Sequence, residues 1–459
     1  MSKKIQKHLF SKIEVWMLYL VIIVMTVSGL IFGALVDYNK RGGEKFFELT
    51  SKATKISSAI VDGLRYLQNP MRDKELLQAE EKSRFLKHKP GFNVYKNNNA
   101  ELLMLLNFTD PFSKKHKVKL VDLKNYKTLF EYSFDYEMFR SVESFNNKGF
   151  ASSITDNNIF FRSSYLTEKN KIITLFSSNS LVKFDPEKGK LHWFKDDAMF
   201  HHTFFVNEAG GYIWAIGCLH GKNLDKIWRT KRGYCNDSAI KIDLETGETL
   251  KSISIGQLMI KSNLHNHLFV GRVNKSTPDP AHINDIEEIN IDTEFSQKGN
   301  LMLSLGGINM ILLIDPTNEE ILWKFSDGLF FQHDVDILNS QEIAIFNNNR
   351  IITDYDKVFK NNEINIYNFK NKKISSPYNN ILAKYEVKTR TQGLQEITEY
   401  GVLVEEQNFG RYLFFDKDNG ELIFEYINKN NENEIFQVHW SRLITNKEKI
   451  KKLRDYFND

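Results

Sequence analysis

"FDKDNGELIFEY", Phe415–Tyr426, joins the end of one apolar run to an aspartate, a short polar turn closed by Gly420, and a second apolar run carrying aromatics. An Asp side chain accepts backbone N–H bonds across such a turn and Gly supplies positive φ, so the stretch predicts a β-hairpin with a local cause. The same text recurs upstream. "VDLKNYKTLFEY" (Val121–Tyr132), "FDPEKGKLHWF" (Phe184–Phe194), "IDLETGETLKS" (Ile242–Ser252) and "IDPTNEEILWKF" (Ile314–Phe325) put Asp122, Asp185, Asp243 and Asp315 in the slot of Asp416. "YNFKNKKI" (Tyr367–Ile374) is a degenerate copy with Asn368. Spacings of 63, 58, 72, 53 and 48 residues between successive copies suit one four-stranded unit plus loops per repeat. Radial units of this kind bury both faces against neighbours and leave little free edge, so six copies predict an all-β, six-bladed β-propeller over 91–445. Seven blades, or a pair of sandwiches, are the lesser alternatives. "IFQVHWSRLI" (Ile435–Ile444) is expected to supply a closing strand, and 446–459 a C-terminal tail.

The N-terminal end reads differently. "VWMLYLVIIVMTVSGLIFGALV" (Val15–Val36) has 22 residues without a charge, enough to cross about 30 Å of hydrocarbon as a helix. Lys3, Lys4, Lys7 and Lys12 precede it, which predicts a cytoplasmic tail over 1–14 and a single-pass anchor over 15–36 in the inner (cytoplasmic) membrane. The rest of the chain then lies on the periplasmic or other extracytoplasmic side. A cleaved signal peptide is the alternative, but the apolar core exceeds the usual ~7–15 residues and no A-x-A site follows. Residues 37–90 show apolar positions at helical spacing, broken near Asn69 and Pro70, and predict a helical neck that could pair with a copy of itself in a homodimer.

Composition sets further bounds. With 41% apolar and 26% charged residues the chain has material for a substantial core, and a net charge of +4 without a long basic run past the N-terminus gives no nucleic-acid footprint. Cys218 and Cys235 could form a disulfide in an exported chain, contributing about 3 kcal/mol, or remain two thiols. No Cys-x-x-Cys is present, and neither cysteine is assigned to catalysis.

Of the 12 histidines, His8, His88, His116, His192 and His439 sit in charged or turn-like text. His202, His282 and His333 each open an apolar strand, 41, 33 and 35 residues before Asp243, Asp315 and Asn368. That common phase places them at equivalent points of three consecutive blades, early in the innermost strand, so their side chains should converge at one mouth of the axial channel. Gln392 or Gln395 falls near the same phase in the next blade. Converging imidazoles suit two chemistries. One is transfer of an anionic sulfuryl or phosphoryl group through a covalent histidine oriented by a carboxylate such as Asp334 or Glu287. The other is a histidine-liganded metal site of a hydrolase, and spacing does not separate them.

At these residues the chain resembles the bacterial arylsulfate sulfotransferase (arylsulfotransferase) family, from about Phe194 to Tyr426. The likeness rests on "HHTFFVNEAGGYIWA" (His201–Ala215), "DPAHINDIEEI" (Asp279–Ile289), "FFQHDVDIL" (Phe330–Leu338) and "QNFGRYLFFDKDNGELIFEY" (Gln407–Tyr426), in the family's order. The resemblance implies a six-bladed periplasmic propeller that moves a sulfuryl group from an aryl sulfate to a phenolic acceptor through a sulfohistidine, with no nucleotide, metal or other cofactor. It implies His333 as nucleophile with His282 and His202 around the sulfuryl oxygens. His201, Asn284, Asp334, Gln395 and Arg411 are the further substrate-contacting candidates. Two departures stand out. Gly306 in "LMLSLGGINMILLID" takes the place of the family's sulfuryl-holding arginine, and Thr203 stands where relatives usually carry an aspartate. Arg411 and Arg272 are the candidate replacements for the lost cation. The family's extra N-terminal β domain is replaced by the helical neck. A propeller that kept the channel and lost the chemistry, serving as a binding scaffold, is the second reading.

Overall fold

The computed structural model describes residues 15–40, 79, 84–97, 100–133, 161–176, 180–219, 235–269, 279–351 and 357–458. Two compact units divide the chain, 1–75 and 76–459. In the first, the segment expected to cross a membrane is helix α1 (Val15–Lys40). Among the described residues no helix is long and apolar enough to cross a membrane, so the fold supports a helix here and not the transmembrane crossing. Most of the expected helical neck lies outside the described residues, and its described end, 84–90, is turn and bend rather than helix.

Among the described residues the second unit holds seven β-sheets: a two-stranded one, Arg350–Ile351 with Lys357–Val358, and six larger ones that form the predicted six-bladed all-β propeller. From the axis outward, blade 2 runs Phe161–Leu166, Ile172–Phe176, Ser180–Asp185 and Lys190–Lys195. Blade 3 runs Met199–Asn207, Tyr212–Cys218, Asp237–Asp243 and Thr249–Ser254, and blade 4 runs Ile283–Glu288, Leu301–Leu305, Met310–Asp315 and Glu320–Phe325. Blade 5 is built from Val335–Ile337, Glu342–Asn347, Glu363–Asn368 and Lys373–Ser375. Blade 6, Leu394–Ile397, Val402–Glu406, Arg411–Phe415 and Leu422–Ile427, gains a fifth, outermost strand from Gly91–Val94.

The ring closes as the sequence led one to expect. Arg442–Ile444 pairs with Leu103–Thr109 and becomes the innermost strand of blade 1, whose outer strands are His116–Asp122 and Lys127–Ser133. Residues 446–459 are more than a tail: helix α5 (Lys447–Asn458) buries Ile450 and Leu453 against blades 1 and 2. Three short helices, α2 (Ile255–Lys261), α3 (His265–Phe269) and α4 (Asn379–Lys384), lie in connections between blades.

Each repeat turn joins the third strand of a blade to the fourth. Asp185, Asp243, Asp315, Asn368 and Asp416 each accept two backbone N–H bonds through one side-chain oxygen, at 2.7–3.2 Å, and Asp122 accepts one at 3.0 Å. These bonds hold the Asp243 and Asp416 carboxyls below the usual range. Second and third strands read as continuous apolar runs because both faces pack on neighbouring blades, as Leu301–Leu305 and Met310–Asp315 do. Fourth strands alternate with solvent, as Glu320–Phe325 does. The core is thus divided: among the described residues an apolar cluster fills each interface between neighbouring blades.

Nearer the axis the blades are joined by carboxylates. Asp237 accepts from Ile283 N at 2.9 Å, Asp285 from Val335 N at 2.9 Å and Asp334 from Gln395 N at 3.0 Å. Glu405 accepts from Trp440 N and Ser441 N at 2.9 and 2.8 Å, and Glu396 accepts from Leu443 N. Each bond leaves one blade and ends on the next. Glu405→Ala strands two buried N–H donors at the closing segment, and the expected loss is about 2–6 kcal/mol by denaturant titration, at ~1–3 kcal/mol per orphaned group.

Candidate functional site

The predicted convergence is geometric fact. Ring centroids of His202 and His282 are 4.8 Å apart, those of His202 and His333 5.4 Å, and the His201 ring lies 5.0 Å from His202. The backbone explains how adjacent strands aim these rings inward. His202 and His282 hold left-handed φ of 60° and 46°, and Gln392 and Trp440 at the corresponding starts of blades 6 and 1 do so at 63° and 31°. Non-glycine residues rarely adopt this region, and it recurs here at one level of the ring. Irregular pairing in the inner strands accompanies it, at 200–204 opposite Ala215 and Gly217 and at Asn284 between Ile283 and Asp285.

His333 is the most deeply buried of these rings, 2% exposed. Its Nδ1–H donates to the Gly393 carbonyl at 3.1 Å, which leaves the lone pair on Nε2, and among the described residues that atom has no hydrogen-bond partner. Gly393 has no substitute at its place. Its φ is +93°, and an added Cβ would meet Thr389 and Phe346 at 2.6 and 2.8 Å. Burial first, then the charge of His282, hold the His333 conjugate acid down to about 3, so the ring is neutral at neutral pH. Trp440 packs on it at 5.1 Å.

His282 is poised the opposite way. Its Nδ1 lies 2.5 Å from Asp279 Oδ2, and Asp279 also accepts from the His282 backbone N–H. Burial works against the charged form, but the Asp279 hydrogen bond and charge win and raise His282 above the ordinary imidazole value. Its Nε2–H is thereby a donor aimed away from Asp279. His202 is driven well below the ordinary value, by burial first and then by the neighbouring histidines. The cluster therefore sets an imidazole held neutral beside one whose protonated form is favoured.

The remaining expected contacts separate. His201 is spent inside the protein, with Nε2 3.0 Å from Asp237 and Nδ1 2.7 Å from His202 Nδ1, so it orients His202 and has no nitrogen left for substrate. Asn284 is fully buried and donates to the Gln332 carbonyl at 2.8 Å. Its amide occupies the space where a side chain on Gly306 would go, and that side chain would also stand 2.9 Å from the Gln332 carbonyl. Asp334 ties blade 5 to blade 6 and is not the partner of His333. Gln395 donates to Asp336 at 3.0 Å further along its inner strand. Arg411 is a correction: its guanidinium binds Glu406, Glu425 and the Tyr385 carbonyl inside blade 6, because a buried cation must be paired where it lies. Thr203, in place of an aspartate, accepts from Arg442 at 3.0 Å. Arg272 lies outside the described residues.

Several participants escaped the sequence reading. Arg162 sits in the inner strand of blade 2, in an irregularity between Phe161 and Ser164 that matches the one at His201 and His202 in blade 3, and its charge acts on both His202 and His439. His439 and His116, set aside above for their charged or turn-like surroundings, are buried, with ring centroids 4.9 Å apart. The Arg350 guanidinium stacks at 4.7 Å on Phe331, which neighbours His282 at 6.2 Å. Cys218 and Cys235 form the disulfide. Among the described residues the one set of donor atoms packed closely enough for a metal is His201, Cys235 and Asp237, and its sulfur belongs to that disulfide. The three axial histidines do not form such a set.

The two imidazoles should titrate apart. By ¹⁵N-resolved NMR His333 stays neutral from pH 8 to pH 5, whereas His282 is protonated at pH 6.5 and loses its proton as pH rises through its raised value. Asp279→Asn brings the His282 transition down and leaves His333 unchanged.

No curated protein matches the chain. Similar solved structures include a protein of unknown function from Bacteroides caccae (11% identity, TM-score 0.45, covering 75% of this chain and 100% of that one). Others are the Cps50 (Swd1) β-propeller domain of Myceliophteria thermophila (9%, 0.39, 74% and 86%) and a chain of a nidogen/laminin complex (8%, 0.43, 75% and 99%). Resemblance at this level carries no information on function. The family model for arylsulfotransferase (ASST) matches residues 177–429, more than half of the 459 residues and the stretch that holds all four site histidines. The chain belongs to the arylsulfotransferase (ASST) family.

Proposed function

We propose that the propeller is an arylsulfotransferase-like enzyme that passes a sulfuryl group from an aryl sulfate to a phenol through His333, with no nucleotide donor. The observation that carries this reading is a neutral His333 Nε2 without a hydrogen-bond partner among the described residues, close to a His282 whose protonated form Asp279 favours. Attack by Nε2 on sulfur forms the N–S bond as the S–O bond breaks, and the departing phenolate takes the His282 proton. The now neutral His282 accepts the proton of an incoming phenol, whose oxygen takes the sulfuryl group and frees His333. Arg162 supplies the fixed positive charge that Gly306 does not. It enters from blade 2 rather than blade 4, and its field already reaches His202. Phe331 and the exposed Phe330 offer the aryl ring a surface at the rim.

The expected result is p-nitrophenyl sulfate turnover in the presence of phenol, abolished by His333→Asn. Arg162→Gln should cost ~10²- to 10³-fold in kcat/KM, the usual loss for one donor to a developing charge. No turnover by the unmodified chain would instead favour the scaffold reading, for which the missing arginine at Gly306 speaks. Gly306→Arg is expected to gain nothing, because Asn284 fills its path.

We also propose that α1 anchors the chain in the inner membrane with the propeller outside. Its support is the 22-residue uncharged run and the exposure of Trp16, Tyr19, Leu20, Ile22, Ile23 and Met25 around the helix. Release of the chain from membranes by alkaline carbonate would refute the anchor.

A further inference from the structure

The Cys218–Cys235 disulfide adjoins the histidine cluster through His201, and sulfuryl transfer makes no use of it. Three neighbouring strands of blade 3 assemble its surroundings. His201 comes from the innermost strand, Met199–Asn207, and Cys218 ends the second, Tyr212–Cys218. Asp237 opens the third strand opposite Cys218, two residues after Cys235. Asp237 Oδ1 is the point of convergence: His201 Nε2 lies 3.0 Å from it and Cys235 Sγ 3.1 Å. The other oxygen, Oδ2, accepts from the Ile283 N–H at 2.9 Å, which holds the carboxyl with Oδ1 turned to the nitrogen and the sulfur. The three donor atoms lie within 4.8 Å of one another, and their residues are at most 7% exposed.

Imidazole nitrogen, cysteine sulfur and carboxylate oxygen together are a zinc donor set, whereas Ca²⁺ and Mg²⁺ take oxygen alone. In the oxidised chain the sulfur is spoken for, because Cys235 Sγ is bonded to Cys218 Sγ and the metal ligand is the thiolate. A dithiol changes that. It passes two electrons and two protons to the sulfurs, breaking the S–S bond to leave two thiols, and itself becomes a disulfide. Zn²⁺ then displaces the Cys235 proton and takes the lone pairs of His201 Nε2 and Asp237 Oδ1, with the fourth position left to water.

We propose that His201, Cys235 and Asp237 form a redox-gated zinc site, closed while Cys218 holds Cys235 in the disulfide and open once that bond is reduced. Its occupancy is felt in the histidine cluster. With zinc on Nε2, the proton of His201 sits on Nδ1, 2.7 Å from His202 Nδ1, and is donated to it. The proton of a neutral His202 is thereby placed on Nε2. The metal thus sets the tautomer of a ring whose centroid is 4.8 Å from that of His282 and 5.4 Å from that of His333.

The test is zinc titration of the metal-free, full-length protein against a chromophoric chelator. It is run on the oxidised chain and on the chain reduced with dithiothreitol and desalted without oxygen, with thiols counted in each. One Zn²⁺ per reduced chain and none per oxidised chain are expected, and Co²⁺ in its place should give a thiolate-to-cobalt charge-transfer band. The two cysteines should act in opposite senses, which a purely structural disulfide does not require. Cys218→Ser, which leaves Cys235 a thiol, should bind Zn²⁺ with no reductant added. Cys235→Ser should lose more than the roughly 10- to 100-fold in affinity that removal of an outer-shell partner costs. Equal uptake by the oxidised and reduced chains, no uptake by the reduced chain or by Cys218→Ser, or undiminished uptake by reduced Cys235→Ser would each overturn the assignment. Sulfuryl transfer is measured in none of these arms, so the zinc site stands or falls apart from that activity.

Discussion

The carboxylate that accepts a backbone N–H from the next blade is the bond on which this propeller turns. Apolar clusters between blades supply cohesion, but packing of that kind tolerates sliding and fixes no register. A carboxylate bonded to one particular amide does fix it: Asp237 to Ile283, Asp285 to Val335, Asp334 to Gln395, Glu405 to Trp440 and Ser441. Each recipient lies within a few residues of a site group. Ile283 follows His282, Val335 comes two after His333, and Gln395 two after the Gly393 carbonyl that orients it. The bonds that space the blades thereby space the imidazoles.

The same bonds bear on protonation. Acidic and basic side chains brought together out of water settle into whichever forms their neighbours allow, so His333 is held neutral while Asp279 raises His282 above the ordinary imidazole value. The left-handed backbone of His202 and His282 is costly in isolation. It persists because a bonded strand stands on either side.

Much of the fold was legible because its causes are local. An Asp that caps its own turn leaves the same letters wherever the turn recurs, and six copies gave the blade number; a closing strand followed from what remained after the last turn. The phase of His202, His282 and His333 against those turns located the cluster. What could not be read is long-range. Asp334 adjoins His333 in sequence, yet its bond goes to blade 6. Arg411 sits in a family-like motif, yet Glu406 and Glu425 claim it. Arg162 lies only 23 residues before Asp185, because its blade lacks the long connection that separates His202 from Asp243. Its place shows only in the strand irregularity it shares with blade 3.

The way the ring is shut has an implication for when the site comes into being. Trp440, which walls His333, and the Arg442–Ile444 strand follow every strand of blades 2 to 6 in the sequence. A nascent polypeptide, however far blades 2 to 6 have folded, has no finished pocket until this stretch is made and docked into blade 1. A lesion that removes the closing strand therefore removes the wall of the histidine cluster along with the closure of the ring.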